Sequence, residues 1–300
     1  MSRETSRGEA TVAQVCAVFG MTRQAFYAAR RPKKDRVEGR APSVLHQARP
    51  RWASAEERKS AIRAVVDEHK GWGVRKVWAF LRRQGTRASQ KRIWALMKSM
   101  GLTFDATSQR ANHTHGHVAV PESNRRWGTD LTTVWTRQDG VVAVMPVIDC
   151  GDRYVFEIGV SKSQESGDVL QPVVQALEEQ FCAPSGVPAL LEMRTDHGPQ
   201  YTGSDCEDLC DNWGLDHTFA PVGRPTGNAV TERFIQTLKV ELIWTRDWDN
   251  RQELRDAIEV WRQVYNHQRP HQALDWQTPA ERRHDNLKAT PVSPQLRMAG

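Results

Sequence analysis

Three acidic residues stand where packing alone gives no reason for an acid. Asp130 lies in a strand-like run, Trp127-Gly-Thr-Asp-Leu-Thr-Thr-Val. Asp196 follows a short apolar stretch in Met193-Arg-Thr-Asp-His-Gly-Pro. Glu232 opens a long helical pattern in Asn228-Ala-Val-Thr-Glu-Arg-Phe. Each has an ordinary reading alone: a turn cap, a loop start, and an ion pair with Lys239. If the two strands are neighbours and the helix packs beside them, the three carboxylates converge. Hard oxygen donors of this kind suit Mg2+ or Mn2+, which keep open positions for water and phosphate. Two such ions, about 3.5–4 Å apart, activate an attacking oxygen and steady a leaving one in phosphoryl displacement. Metal would also relieve the mutual repulsion of crowded acids.

The elements that must position these acids are legible from periodicity. From Trp127 the pattern becomes strand-like over Thr129–Trp135, Val141–Ile148 and Arg153–Val160. A helix is marked by Val169, Val173, Val174, Leu177 and Phe181. A strand is predicted over Ala189–Arg194, a helix over Ser204–Trp213 and a strand over Leu215–Phe219. The long helix is predicted from Asn228 to Trp244, with Val230, Phe234, Leu238 and Leu242 inward. Glu232, Gln236 and Lys239 share its other face. A last helix carries Leu254, Ile258, Trp261, Val264 and Tyr265. Three strands, a helix, then alternating strands and helices predict an α/β domain on a mixed sheet.

Charge is divided unevenly along the 300 residues. Residues 1–120 hold 24 lysines and arginines against 9 acids, while residues 121–300 hold 18 against 27. A basic N-terminal half suits a polyanion, because neutralised phosphates release counterions. Two helical pairs lie within it. In the first, Val12, Val15, Val18 and Phe19 form an apolar face, Gly20 turns, and Thr22 caps a second helix. That helix would offer Arg23, Gln24 and Tyr27 to a major groove. In the second, Ser54 to Glu57 form a capping box, and Ile62, Val65 and Val66 face inward. Val77, Phe80 and Leu81 follow, Gly85 turns, and Ser89 caps a helix with Ile93, Leu96 and Met97 inward. Arg82, Arg83, Arg87, Lys91, Arg92 and Lys98 cluster around that turn.

The domains predicted are therefore a helix-turn-helix over 1–31, a linker over 32–52 and a second helix-turn-helix over 53–102. A linker over 103–125, a catalytic core over 126–247 and a C-terminal helix and tail over 248–300 complete them. His113, His115 and His117 alternate in the second linker, where an accessory segment outweighs a metal site. Cys206 and Cys210 stand one helical turn apart without a second Cys/His pair at zinc spacing, and are read as packing. The five cysteines are expected to be reduced thiols. No signal-like apolar segment follows Met1 and no run approaches the ~18 residues of a membrane span, so a cytoplasmic, nucleoid-associated protein is expected.

The ordered set of motifs resembles bacterial insertion-sequence transposases of the OrfB type, relatives of the retroviral integrases. Asp130, Asp196 and Glu232 match the family's DDE triad, with 35 residues between the last two. Lys239, seven places after the glutamate, matches its basic residue. Asn228-Ala-Val-Thr-Glu and Tyr265-Asn-His-Gln-Arg-Pro-His match its runs in and after the core. The helical unit ending Lys98-Ser-Met-Gly-Leu is similar to the helix-turn-helix that precedes the core. Arg224-Pro-Thr-Gly and Cys150-Gly-Asp-Arg depart from the usual pattern, which puts loop shape rather than chemistry in doubt.

The resemblance implies an RNase H-like fold, a five-stranded mixed sheet flanked by helices. It implies cleavage of element ends and strand transfer at one site holding Mg2+, with Mn2+ able to substitute and two ions per site. Lys239, Asn228, Arg233, Arg23, Gln24, Tyr27, Arg87, Lys91 and Arg92 are the expected DNA contacts. Double-stranded DNA, as terminal inverted repeats and target, is the expected partner. A homodimer or higher multimer is expected, with an upstream OrfA-type partner or frameshift fusion open. Two alternatives stand beside this: a DNA-binding regulator with an inactive core, and an RNase H-like nuclease that only hydrolyses.

Overall fold

The computed structural model describes residues 54–103, 120–220 and 228–289, with Val12, Cys16, Val18 and Thr22 in the N-terminal part. The chain divides into two compact units, Met1–Pro42 and Ser43–Gly300. In the first, Val12, Cys16 and Val18 are helical. Cys16 is buried, but Val18 is 79% exposed, so the apolar face runs through Cys16 and the expectation for Val18 is corrected. Arg23, Gln24, Tyr27 and the histidines at 113, 115 and 117 lie outside the described residues.

The second unit opens with three helices, α1 (Ala55–Glu68), α2 (Val74–Arg83) and α3 (Gln90–Ser99). The start of α1 is a reciprocal cap: the Glu57 N–H donates to Ser54 Oγ, and the Ser54 N–H to Glu57 Oε2. Ser89 accepts from the Arg92 N–H at the start of α3. Gly85 takes φ +97° in the α2–α3 turn, a conformation that side chains rarely adopt. Ile62, Val65, Trp72, Val77, Leu81, Ile93 and Met97 form the core of this unit, while Val66, Phe80 and Leu96 lie at its margin.

The sheet consists of β1 (Arg126–Thr129), β2 (Thr132–Thr136), β3 (Gly140–Asp149), β4 (Val155–Ser161), β5 (Glu192–Thr195) and β6 (Asp216–Phe219). β1 and β2 both pair antiparallel with β3 in one register: Thr129 opposes Val147, and Thr132 opposes Val144. They are thus one strand position, interrupted at Asp130 and Leu131. The predicted unbroken strand is corrected here, and the physical reason lies opposite: Pro146, in register with Asp130, has no N–H for the ladder. Across the sheet the order is β4, β3, β1/β2, β5, β6, with β4 antiparallel to β3, β5 parallel to β1 and β6 parallel to β5. This is the five-position mixed sheet of an RNase H-like fold.

Both faces of the sheet are covered. Ala143, Met145 and Val147 of β3 pack beneath α4 (Ser166–Phe181) and α6 (Ser204–Trp213), with Trp127, Phe156 and Met193. A single turn, α5 (Pro199–Thr202), precedes α6. Val142, Val144 and Ile148 pack under α7 (Ala229–Glu241) and α8 (Arg251–His267), with Phe234, Leu238, Leu254 and Trp261. A strand buried on both sides reads as a continuous apolar run, which is what Val141–Ile148 is.

Three bounds differ from expectation. The strand predicted from Ala189 begins at Glu192, because Pro188 and the left-handed Leu190 (φ +70°) keep the preceding chain out of the sheet. The helix predicted to reach Trp244 ends at Glu241 and passes into a tight turn over Ile243–Thr245. The proposed boundary at 247/248 also crosses a shared core, since Trp248, Leu254, Ile258, Trp261 and Tyr265 pack with β2, β3, β4 and α7. The last helix, α9 (Pro279–Ala289), is tied to the sheet by Arg283, which donates to Asp149 at 3.2 Å and Asp152 at 3.0 Å.

Candidate active site

Parallel pairing of β1 with β5 sets the two aspartates side by side. The register runs Arg126 to Glu192, Trp127 to Met193 and Gly128 to Arg194. Two residues further, the same offset places Asp130 beside Asp196, at the carboxyl ends of adjacent strands about 4.8 Å apart. Open α/β sheets bind ligands at such ends. Both aspartates turn back on their own backbone: Asp130 Oδ1 accepts the Leu131 N–H at 2.8 Å, and Asp196 Oδ1 accepts the Gly198 N–H at 2.9 Å. One oxygen of each carboxyl is thereby oriented.

Glu232 is brought near by the close approach of α7 to β1. A Cβ at Gly128 would fall on Thr231 Oγ1 and lie 3.3 Å from Asn228 Oδ1, so only glycine admits this contact. The side chain of Asn228 donates to the Thr129 carbonyl at 3.3 Å, one residue before Asp130. Asn228 is buried; its Nδ2 joins the start of α7 to the end of β1, while its Oδ1 has no hydrogen-bond partner among the described residues. On α7 the buried stripe is Thr231, Phe234, Ile235, Leu238 and Glu241, with Val230 and Leu242 at the margin. Glu232, Arg233 and Gln236 are exposed, Arg233 donates to Gln236 at 3.0 Å, and Lys239 is half-buried.

The electrostatics link these residues. Burial pushes the Asp130 carboxyl up to about 6; the Leu131 N–H opposes this, Asp196 and Glu232 push it further up, and Lys239 pulls it down. Asp130 therefore lies within the field of both other acids and of the lysine. The three carboxylates do not all come within 4.8 Å of one another. Two ions need a wider span of donors than one ion does. Among the described residues, none of the three acids has a salt-bridge partner. Hard oxygen donors at the ends of parallel strands, with a lysine close by, suit a divalent ion and a phosphate group.

The basic residues of the three-helix unit separate into two groups. Arg87, Lys91, Arg92 and Lys98 are exposed. Arg83 instead pairs with Glu281 at 2.5 Å and donates to the Trp276 carbonyl, and Arg82 donates to the Thr86 carbonyl, so these two leave the expected cluster. The run Tyr265-Asn-His-Gln-Arg-Pro-His is structural. Asn266 bonds both the N–H and the carbonyl of Val155, and Arg269 pairs with buried Glu241 at 2.8 Å. Lys76 reaches the same Glu241 at 2.6 Å and Trp72 Nε1 donates to it at 3.1 Å, fastening α2 to the core. Sequence reasoning missed Glu241, although an acid three residues after Leu238 on an apolar stripe was a visible signal.

Comparison with known proteins agrees with this architecture. Two models described as integrase core domain match residues 120–225 and 213–279, and one described as an HTH-like domain matches 53–109. The chain is 32% identical over 236 residues to the transposase for insertion sequence element IS629 of Shigella sonnei, covering 74% of this chain and 77% of that protein. It is 28% identical over 231 residues to the transposase InsD for insertion element IS2 of Escherichia coli, covering 73% and 76%. A solved intasome of simian T-cell lymphotropic virus matches at 16% identity and a TM-score of 0.47, covering 79% of this chain and 76% of that chain, a likeness too slight to bear weight. The chain belongs to the insertion-sequence transposases that join an HTH-like domain to an integrase core and carry out DNA transposition.

Proposed function

We propose that Asp130, Asp196 and Glu232 are the catalytic and metal-holding residues of this transposase, acting on phosphodiester bonds at the element ends. The observation that carries the reading is the register of β1 and β5, which sets Asp130 and Asp196 together where α7 delivers Glu232. Bound there, a pair of Mg2+ ions would supply Lewis acidity to the attacking and leaving oxygens, and Mn2+ would serve in their place. Asp130 and Asp196 hold the site through oxygens fixed by the Leu131 and Gly198 N–H groups, and Glu232 closes it from the helix. Lys239 faces the DNA phosphate nearest the cleaved end, and Arg233 a neighbouring one. Water attacks the phosphodiester at the element end, and the P–O bond to the element's 3′-oxygen breaks to free a 3′-OH; this 3′-OH then attacks a target phosphodiester, whose own 3′-oxygen leaves.

Arg87, Lys91 and Arg92 are assigned to the double-stranded terminal repeat, with residues 53–102 the DNA-binding unit and the catalytic core running from 126 past 247 to include α8. Arg23, Gln24 and Tyr27 in residues 1–31 are assigned a second DNA contact, and residues 32–52 and 103–125 the role of linkers. Two element ends must be joined to one target, so a homodimer or larger multimer is the working form. Among the described residues no helix is long and apolar enough to cross a membrane. A cytoplasmic, nucleoid-associated location follows from the substrate.

The test is an assay of Mg2+-dependent nicking of terminal-repeat DNA followed by joining to a target duplex. Both products are expected. Nicking without joining would select the hydrolytic nuclease instead, and binding without nicking under varied metal and salt would select the regulator.

A further inference from the structure

Behind the strand end that carries Asp196, on the α6 side of β6, lies a second cluster of donors of a different chemical kind. Cys206 and Cys210 project from consecutive turns of α6, and His217 stands on β6. The two sulfurs and a ring nitrogen of the histidine all lie within 4.8 Å of one another, with Cys206 Sγ 4.0 Å from His217 Nδ1. Both cysteines are buried and unbridged, and His217 is half-buried at the edge strand. From the cysteine spacing alone the pair read as ordinary packing, because the third donor comes from the next element rather than from a second Cys/His pair.

The hydrogen bonds suit one tautomer of the ring. Thr195 Oγ1 lies 2.9 Å from the Asp196 carbonyl and 3.0 Å from His217 Nε2. Both contacts are satisfied at once when the hydroxyl donates to the carbonyl and the ring donates to the hydroxyl. A neutral imidazole protonated at Nε2 has a bare lone pair at Nδ1, the nitrogen turned towards the thiols. Two sulfurs and an aromatic nitrogen are soft to borderline donors, the set preferred by Zn2+ and poorly matched to Mg2+. With Zn–S ~2.3 Å and Zn–N ~2.0–2.1 Å, tetrahedral coordination sets S and N about 3.6 Å apart and two sulfurs about 3.8 Å apart. The observed separations need to contract by at most about 1.2 Å to meet that geometry.

We propose that Cys206, Cys210 and His217 form a Zn2+ site, separate from the carboxylate triad, that braces the end of β5. Coordination at Nδ1 would lock the Nε2–H onto Thr195, the orientation in which a second donor sets the ring of a metal-ligating histidine. The chain of contacts then runs from metal to His217, Thr195 and the backbone of Asp196. Nothing in this site depends on what the triad does.

The test is metal analysis of the full-length chain, followed by Co2+ exchange. Wild-type protein and Cys182→Ser, which alters an exposed cysteine outside the cluster, are expected to carry about one Zn2+ per chain that survives washing with excess Mg2+. Cys206→Ser with Cys210→Ser should reduce this to about a tenth or less. Co2+-loaded wild type should show a thiolate-to-Co2+ charge-transfer band and the visible bands of tetrahedral Co2+. Folded wild type without stoichiometric Zn2+ after reconstitution, or Co2+ loading without the thiolate band, would overturn the site. The wild-type measurements decide this even where the double variant fails to fold. Co2+ held by the carboxylates gives no sulfur band, so the two sites are read apart.

Discussion

Asp130 is the residue whose chemistry is most altered by its surroundings. Its carboxyl is raised to about 6, first by burial and then by Asp196 and Glu232, with Lys239 opposing. A folded-state pKa above the unfolded value of 3.8 means that the native state holds the proton more tightly. Stability without metal therefore falls as pH rises from about 4 to about 6, and stays lowered above that. Asp130→Asn is expected to raise the metal-free melting temperature at pH 7–8, by at most about 3 kcal/mol of stability. Added Mg2+ should stabilise the wild type and not this variant. Wild-type Mg2+ affinity and cleavage should fall as pH drops through about 6, because the ligand becomes protonated. Thermal melts and cleavage rates across pH 5–8 check this, and an Asn variant less stable than wild type would place Asp130 in a purely structural role. Asn228 carries a different lesson. The resemblance implies a DNA contact for it, and the structure adds a second role, in which its Nδ2 joins two elements of the site.

At the scale of elements, the site depends on how closely α7 lies on β1. Gly128→Ala is expected to push Thr231 and the start of α7 outward, shifting Glu232 and lowering cleavage by about tenfold to a hundredfold, since misplacement of about 1 Å has such effects. Thr231→Ala in the same chain should recover much of the loss by removing the hydroxyl that the added methyl group would strike. A double variant no more active than Gly128→Ala would show that the contact does not position Glu232. The elements themselves were largely legible. Alternation and 3.6-residue spacing place the strands and the helices α4, α6, α7 and α8, but not the single turn α5 or the last helix α9, and the capping residues Ser54 and Ser89 mark starts of helices that the structure contains. What escaped is set by partners distant in sequence. The break at Asp130 is explained by Pro146 across the ladder, and the rotation of the α7 stripe towards Thr231 and Ile235 by Gly128. His217 completes a donor set with Cys206 and Cys210 only because β6 follows α6 back into the sheet. Neither propensity nor period in one segment carries that information.

At the scale of the molecule, a basic three-helix unit is fastened to an acidic catalytic core by buried charge. Glu241 meets Arg269, Lys76 and Trp72; burial pushes its carboxyl up, but Arg269 and then Lys76 outweigh this and hold it below the usual range. Glu241→Ala should destabilise the protein by about 3–5 kcal/mol, as expected when one partner of a buried pair is removed. Denaturant unfolding checks this, and a loss under about 1 kcal/mol would mean that the network contributes little. Lys91→Ala with Arg92→Ala should weaken binding to terminal-repeat DNA and flatten its logarithmic salt dependence by about two units, one per lost phosphate contact. An unchanged slope would remove both residues from the interface. A shared metal site at the three acids is tested most directly by the isosteric set Asp130→Asn, Asp196→Asn and Glu232→Gln, assayed together for Mg2+-dependent cleavage, strand transfer and DNA binding. Each substitution is predicted to abolish both reactions while leaving DNA affinity within about threefold of wild type, since charge rather than shape is lost. Any one of the three variants cleaving at the wild-type rate would contradict a shared metal site.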